Sequence, residues 1–321
     1  MILIVGGAGY IGSHCVKLLM QNNYDCVVLD NLSYGHKEAV SCKNFEIADL
    51  MDKTSLQKVF KKYKITAVMH FAAYTYVGES VVNPQKYYQN NIIGTLNLLE
   101  VMLEHNVKKI IFSSSCATYG DPKYLPLDEN HSQNPINPYG YTKLVIEQAL
   151  QDYHKAYGLS YIALRYFNAS GASQDNKIGE SHNPETHLIP LVLKAILGQI
   201  PNVSVFGNDY NTPDGTCLRD YIHVEDLATA HMLALQKVDS YCGHFNLGTG
   251  IPVSVKQVID VADQVSGKKC PVIMSQRRAG DPDKLYASNS KAKQILGWEP
   301  KYINIKDIIV SAWNWEQHKK Y

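Results

Sequence analysis

The stretch Gly6-Gly7-Ala8-Gly9-Tyr10-Ile11-Gly12 constrains this chain more than any other. It follows Ile2 to Val5, an apolar run of the kind that forms a buried strand. The glycines give G-x-G-x-x-G at Gly7, Gly9 and Gly12, and the wider G-x-x-G-x-x-G at Gly6, Gly9 and Gly12. Such a loop lets the backbone turn sharply out of a strand and approach a pyrophosphate, whose charge is met by free N–H groups at a helix N-terminus. A helix is predicted to follow, because Ile11, Cys15, Leu18 and Leu19 share one face and the pattern ends at Gln21-Asn22-Asn23. Cys26 to Leu29 reads as a second buried strand, and Asp30 at its end lies about 20 residues beyond the glycines. A carboxylate there bonds ribose hydroxyls and repels a 2′-phosphate. A glycine-rich turn alone often binds nothing, but strand, loop, helix, strand and acid in this order predict a dinucleotide site, with NAD favoured over NADP.

Beyond Asp30 strand and helix signals alternate, as in a parallel sheet with crossover helices. Phe45 to Ile47 leads to Asp49-Leu50, Ala67 to Phe71 leads to Ala72-Ala73, and Lys109 to Phe112 leads to Ser113-Ser114-Ser115. Carboxyl ends of strands line the ligand crevice of an open parallel sheet. Asn83-Pro84 is expected to open a long helix to about His105 with Leu96 and Leu99 inward, and Asn137-Pro138 a second one that stops at Gly158. After Ile162 to Leu164 the texture changes. A loop-rich stretch from Asn168 to His187 and a turn at Asn208 to Gly215 precede a helix at Val224 to Val238. A strand at Gly243 to Leu247, a helix from Val255 to Val265, a strand at Pro271 to Met274 and a short helix at Lys291 to Leu296 follow. The predicted fold is α/β: a doubly wound parallel sheet of the Rossmann kind over residues 1–168, and a smaller C-terminal α/β substrate-binding domain over 169–321, some of whose segments return to the first.

Composition narrows the partner. The 321 residues carry 19% charged side chains and a net charge of +1, with no block of like charge, which argues against nucleic acid and anionic membranes and for a small molecule. The longest apolar stretch, Leu188 to Ile200, is broken by Pro190, Lys194 and Gln199, and the first strand begins at residue 2, so a cytoplasmic location is expected. The 7 cysteines stand singly, without C-x-x-C or zinc spacing, and the 12 histidines show no H-E-x-x-H. Reduced core cysteines and no metal are therefore expected.

Tyr139 and Lys143 form Tyr-x-x-x-Lys, one turn apart on one helix face. A free tyrosine titrates near ~10, too high for a base at neutral pH, but an ammonium beside it and a positively charged nicotinamide both favour the phenolate. Such a pair is more often a solvated face than a catalytic one. Here Ser115, at the carboxyl end of the preceding strand, supplies a hydroxyl that could share a substrate proton, and Ser113 stands two residues before it.

With these motifs in place the chain resembles the extended short-chain dehydrogenase/reductase family, in particular its members that act on nucleotide sugars. The likeness extends from Met1 to about Trp298. It rests on Gly6 to Ser13, Leu29-Asp30-Asn31, His70 to Ala73 with Val77 to Ser80, Tyr88 to Asn91, and Ser113 to Ser115 with Tyr119-Gly120. It continues in Pro138-Tyr139-Gly140 with Lys143, Arg165 to Asn168, Phe206 to Tyr210, Arg219 to Val224, and Arg277 to Asp281. The resemblance implies Ser115, Tyr139 and Lys143 as catalytic. It implies cofactor contacts at Gly6, Gly9, Tyr10, Ile11, Gly12, Asp30, Asn31, Asp49, Leu50, Phe71, Ala72, Asn90, Ser113, Tyr139, Lys143 and Tyr166. It implies contacts to a UDP-sugar from Ser115, Tyr139, Asn168, Leu188, Phe206, Arg219, Arg278 and Asp281, with Leu285, or in the alternative Tyr286, limiting the sugar. Guanidinium forks suit diphosphate oxygens and Phe206 could stack on uracil, although arginines in polar stretches are usually solvated and a strand-end Phe is usually core.

The implied activity is reversible hydride transfer at sugar C4 with bound NAD, which interconverts UDP-glucose and UDP-galactose through a 4-keto sugar, with weaker activity on UDP-N-acetylhexosamines. Rival readings are a 4,6-dehydratase, which usually has Asp-Glu where Cys116 and Ala117 stand, a UDP-glucuronate epimerase or decarboxylase, and a non-catalytic NAD sensor. Thr75 and His187 depart from the family pattern, which often has lysine and asparagine there. A homodimer through the helices at 84–105 and 138–157 is expected.

Overall fold

The computed structural model describes residues 1–278 and 281–321; Ala279 and Gly280 of the Arg-Arg-Ala-Gly-Asp motif lie outside the described residues. The strands in chain order are β1 Ile2–Val5, β2 Cys26–Asp30, β3 Phe45–Ile47, β4 Ala67–His70, β5 Lys109–Ser115, β6 Ser160–Tyr166, β7 Asn168–Ser170, β8 Val203–Phe206, β9 Leu218–His223, β10 Gly243–Leu247, β11 Pro252–Ser254, β12 Val272–Ser275 and β13 Lys284–Leu285. The helices are α1 Tyr10–Gln21, α2 Lys53–Lys62, α3 Val77–Val82, α4 Pro84–Tyr87, α5 Gly94–Glu104, α6 Pro138–Tyr157, α7 Leu188–Ile196, α8 Val224–Lys237, α9 Val255–Ser266 and α10 Ile305–Gln317.

A parallel seven-stranded sheet in the order β10-β6-β5-β4-β1-β2-β3 forms the centre. The order reverses at β1, the switch point where doubly wound sheets open their ligand crevice. β1 is buried on both faces, as near-continuous apolar strands of parallel sheets are. Leu3 and Val5 meet α2, α5 and α6 through Leu56, Leu98 and Ile146. Ile2 and Ile4 meet α1 and α8 through Val16, Leu19, Leu227 and Ala230. A third core of Val192, Leu193, Val258, Ile309 and Trp313 joins α7, α9 and α10 to β8 and β9, and carries two smaller sheets, one in which β11, β13 and β7 each pair with β9 and one of β8 with β12.

The first strands and α6 follow their sequence signals closely. Pro138 opens α6, Asn137 Oδ1 accepts from Gly140 N at 2.8 Å, and Gly158 ends it in the left-handed region. Other expectations are corrected. The run from Pro84 to Glu104 contains a π turn over Tyr88–Ile93, Asn83 makes no side-chain cap, and Leu96 is 37% exposed while Leu98 and Leu99 are buried. Thr95, Leu98, Leu99 and Met102 form the buried face of α5, and Leu96 stands to one side of it. β5 ends in Ser113 to Ser115 as expected, whereas residues 292–296 form a π turn. β10 lies in the central sheet beside β6 although it follows residue 168 by a long interval. Among the described residues, no helix is long and apolar enough to cross a membrane. All seven cysteines are free, but only Cys15, Cys26 and Cys217 are buried.

Candidate active site

The glycine loop sits at the end of β1. A Cβ on Gly6, Gly7 or Gly12 would meet Ala72 N at 2.5 Å, a Val28 methyl at 2.9 Å or Gly6 O at 2.2 Å, so the turn itself needs these three. Gly9 differs: a Cβ there would meet only Gly6 O at 3.4 Å, and Gly9 caps α1 without a side-chain bond. Its bare backbone leaves the α1 N-terminus open to a ligand, and no acidic side chain in the first turn opposes an anion. At the tip of β2, Asp30 accepts from Ala8 N at 2.9 Å and Leu32 N at 2.8 Å, tying the loop to the strand end. Burial pushes its carboxyl up, and these two N–H groups oppose that. Asn31 Nδ2 donates to Asp49 Oδ2 at 2.8 Å, which sets both beside Leu50 at the ends of β2 and β3. Phe71 and Ala72 follow β4, and Phe71 lies 4.8 Å from the His231 ring. Asn90 falls in the π turn and donates to Asn91 Oδ1 at 2.9 Å. Tyr10 is held by its hydroxyl, which donates to Gly171 O at 2.6 Å, while Ile11 packs on the α1 side of the core. A bent glycine loop open at Gly9, with a carboxylate at the neighbouring strand tip, fits a dinucleotide.

Tyr139, Lys143 and Glu147 recur every fourth residue, so α6 turns all three, buried, toward β5. The close approach depends on Gly140, where a Cβ would lie 2.3 Å from Ala117 O. Lys143 Nζ donates to Ser113 O at 2.7 Å and lies 5.9 Å from the Tyr139 ring centre. Ser115 Oγ, which accepts from Ala117 N at 3.1 Å, is directed at the Tyr139 hydroxyl. Tyr166 ends β6 opposite Ser115. Burial opposes the expected activation of the phenol. Burial pushes the Tyr139 phenol up to about 12, against a lowering contribution from Ser115, and drives Lys143 down to about 7, against Glu147. A dry site raises an acid and lowers a base together, so in the protein alone burial works against the phenolate, and positive charge at Lys143 and on a bound nicotinamide has that burial to offset.

Below these residues Glu147 accepts from Arg165 Nε at 2.9 Å and Nη2 at 2.5 Å and from Ser114 Oγ at 2.5 Å, while Arg165 Nη1 donates to Tyr119 OH at 2.8 Å. Sequence reasoning gave Glu147 no part; its signal was its place on the Tyr139 and Lys143 face.

The predicted UDP-sugar residues gather around β8, β9 and β13. The Arg278 guanidinium lies 3.9 Å from the Phe206 ring centre. Arg219 Nη1 donates to Pro282 O at 2.9 Å and Nη2 approaches Asp281 Oδ1 at 3.4 Å. Leu285 is paired with Arg219 and packs against the cluster of Tyr119, Leu127, Phe167 and Ala287, whereas Tyr286 uses its carbonyl to accept from Leu127 N. Asn168 Nδ2 donates to Asp220 O at 2.9 Å, and Leu188 opens α7. Thr75 is exposed, and His187 turns toward Glu180 and Glu185.

Over residues 2–248 the chain matches the family described as NAD dependent epimerase/dehydratase. A UDP-glucose 4-epimerase of Halalkalibacterium halodurans is 52% identical over 322 residues, covering 100% of this chain and 96% of that protein. Among solved structures, UDP-glucose 4-epimerase from Brucella ovis in complex with NAD is 51% identical with a TM-score of 0.95, covering 97% of each chain. The enzyme of that name from Bifidobacterium longum, in complex with NAD+ and UDP, is 39% identical with a TM-score of 0.95, covering 99% of this chain and 98% of that one.

Proposed function

The chain belongs to the NAD dependent epimerase/dehydratase family, and on that premise we propose that it interconverts UDP-glucose and UDP-galactose by reversible oxidation at sugar C4. The observation that carries this reading is the buried face of α6, where Tyr139 lies beside the hydroxyl of Ser115 and Lys143 donates to Ser113 O, at the carboxyl edge of the sheet. NAD, when bound, accepts hydride from C4, returns it, and brings a positive ring that favours the phenolate. Tyr139 takes the proton of the 4-hydroxyl, directly or through Ser115 Oγ, and returns it once the 4-keto sugar has turned over. Lys143, fixed on Ser113 O, positions the ribose side of the site. Arg219, Arg278, Phe206, Asn168, Leu188 and Asp281 hold UDP, so the sugar is free to rotate on its anchor.

The dehydratase reading is disfavoured at the residue after Ser115. Burial pushes the Cys116 thiol up to about 12, so it is neither acid nor base at neutral pH. A homodimer in the cytoplasm completes the proposal. The exposed side of the 84–104 run and of α6 carries Tyr88, Ile93, Leu96 and Tyr141, with the Tyr88 and Tyr141 rings 6.4 Å apart, a face suited to a helix pair from a second copy.

The deciding experiment is a coupled assay of purified protein with UDP-galactose and no added cofactor. UDP-glucose should form, because NAD is restored within each cycle and has no need to leave. Conversion only after NAD is supplied would refute its retention; no conversion in either case would refute the reading. Leu285 adds a prediction about substrate range. UDP-N-acetylglucosamine should be converted more weakly than UDP-glucose, and Leu285→Tyr should lower that activity alone by about 10-fold to 200-fold, the discrimination a steric pocket can provide. Equal losses on both sugars would remove Leu285 as the gate.

A further inference from the structure

The segment before α7 reads Glu180-Ser181-His182-Asn183-Pro184-Glu185-Thr186-His187. Its acids and imidazoles take no part in the chemistry above, although His187 directly precedes Leu188. The fold draws them to one point, where ligand-type atoms of Glu180, His182, Glu185 and His187 all lie within 4.8 Å of one another. His182 Nδ1 is 3.2 Å from Glu180 Oε1 and 3.8 Å from Glu185 Oε2. His187 Nδ1 is 2.6 Å from Glu180 Oε1 and 3.4 Å from Glu185 Oε1. The two carboxylates are almost fully buried, at 4% and 3% exposure. A second observation is independent of proximity. Glu180 Oε1, His182 Nδ1 and Glu185 Oε2 are buried, and among the described residues none has a hydrogen bond of acceptable direction. Burying a polar atom without a partner is unfavourable, and a bound cation would relieve it.

We propose that Glu180, His182, Glu185 and His187 form a four-ligand site for a divalent d-block cation of the zinc class. Zinc takes imidazole nitrogen and carboxylate oxygen in a tetrahedron with bonds of about 2.0–2.2 Å, which sets donors roughly 3.3 Å apart. The four separations of 2.6, 3.2, 3.4 and 3.8 Å straddle that edge. Two carboxylates balance the ion's charge, as burial demands. Two imidazoles among four donors suit neither calcium nor magnesium, which take six or more oxygens. His187, 44% exposed, gives the ion a route from solvent.

The support around the cluster is rigid. The Tyr10 and Tyr76 rings meet His182 edge-on, each at 6.3 Å, and Tyr76 OH donates to Pro184 O at 2.8 Å. Trp315 Nε1 and Lys319 Nζ donate to Glu180 O at 2.8 and 3.1 Å. Four protein ligands leave no open position for substrate, so the site is structural. It fastens the segment between Tyr10 of the glycine loop, Tyr76, and the start of α7. Sequence inspection for H-E-x-x-H and cysteine pairs passes over the E-x-H-x-x-E-x-H run that encodes it.

The test uses full-length protein stripped with a chelator, then titrated with Zn2+ against a chromophoric competitor, and with Co2+ read by visible absorption. Roughly one ion per chain should bind, Co2+ should show the intense bands of four-coordinate geometry, and Zn2+ should raise the melting temperature. His187→Ala, at an exposed side chain that the fold tolerates losing, should weaken Zn2+ by more than the about 10–100-fold that outer-shell partners cost, and His182→Gln should do the same. Absence of binding, a six-coordinate Co2+ spectrum, or binding that both variants leave unchanged would overturn the proposal. The last result would place the ion on cysteines or surface histidines.

Discussion

Tyr139→Phe is expected to retain the fold and bind NAD while losing turnover by about 10²–10⁴-fold, the range that a positioned acid–base group contributes. The ring is buried at the start of α6 with Lys143 Nζ 5.9 Å from its centre, and phenylalanine fills nearly the same volume. What disappears is the hydroxyl that faces Ser115. Ser115 cannot replace it, because its Oγ is engaged with Ala117 N and it is an alcohol with no base of its own. Circular dichroism, dinucleotide release on denaturation and the UDP-galactose assay separate the three properties. A variant with a near-full rate would remove Tyr139 from the mechanism. The pH behaviour adds a second check. Burial alone holds the phenol near 12, so deprotonation at neutral pH depends on positive charge brought into the site. The phenol of protein freed of dinucleotide should titrate far above that of the NAD complex in ultraviolet difference spectra, and identical titrations would contradict this.

Much of the site was legible in the sequence because its chemistry is local. Gly6 to Gly12 and Asp30 declare themselves through spacing, and Asn137, Pro138 and Gly158 bound α6 so firmly that its inward face, with Tyr139 and Lys143, follows from helical period. What escaped was set by tertiary context. No local pattern says that β10 pairs with β6 in the central sheet, or that a π turn interrupts the helical run at Tyr88–Ile93. The depth of burial at Tyr139 and Lys143 was not visible for a related reason. Two residues one turn apart reveal adjacency but not dryness, and here burial outweighs the charge beside it. The Glu180 to His187 cluster escaped because its ligands are brought together by a non-helical segment, where spacing says little about distance.

The second large effect lies beneath the chemistry. Arg165→Met is expected to destabilise the protein by about 3–5 kcal/mol, the cost of leaving one member of a buried ion pair without its partner. Arg165 and Glu147 are 1% and 7% exposed, and the guanidinium is the only cation bonded to that carboxylate among the described residues. In the native chain burial would raise the Glu147 carboxyl, but Arg165 and Ser114 hold it below its ordinary value. Its contribution to stability is therefore complete above the usual carboxylate range and fades as pH falls through the lowered value. In Arg165→Met the sign turns over. Burial is then opposed by the neutral donors Ser114 and Gln133 without the guanidinium, the carboxyl rises, and the deficit should be greatest near neutral pH and shrink on acidification as Glu147 takes up a proton. Urea unfolding at several pH values measures both trends. The double variant Arg165→Met with Glu147→Leu should recover most of the loss, because the cost arises from an orphaned charge and not from missing volume. A single variant within about 1 kcal/mol of the native chain, the scale of an exposed ion pair, would show that water reaches Glu147. Because Glu147 shares its helix face with Lys143 and Tyr139, loosening it should also lower kcat in the surviving folded protein. The same pair then holds α6 to the sheet and the two candidate catalytic side chains against Ser115.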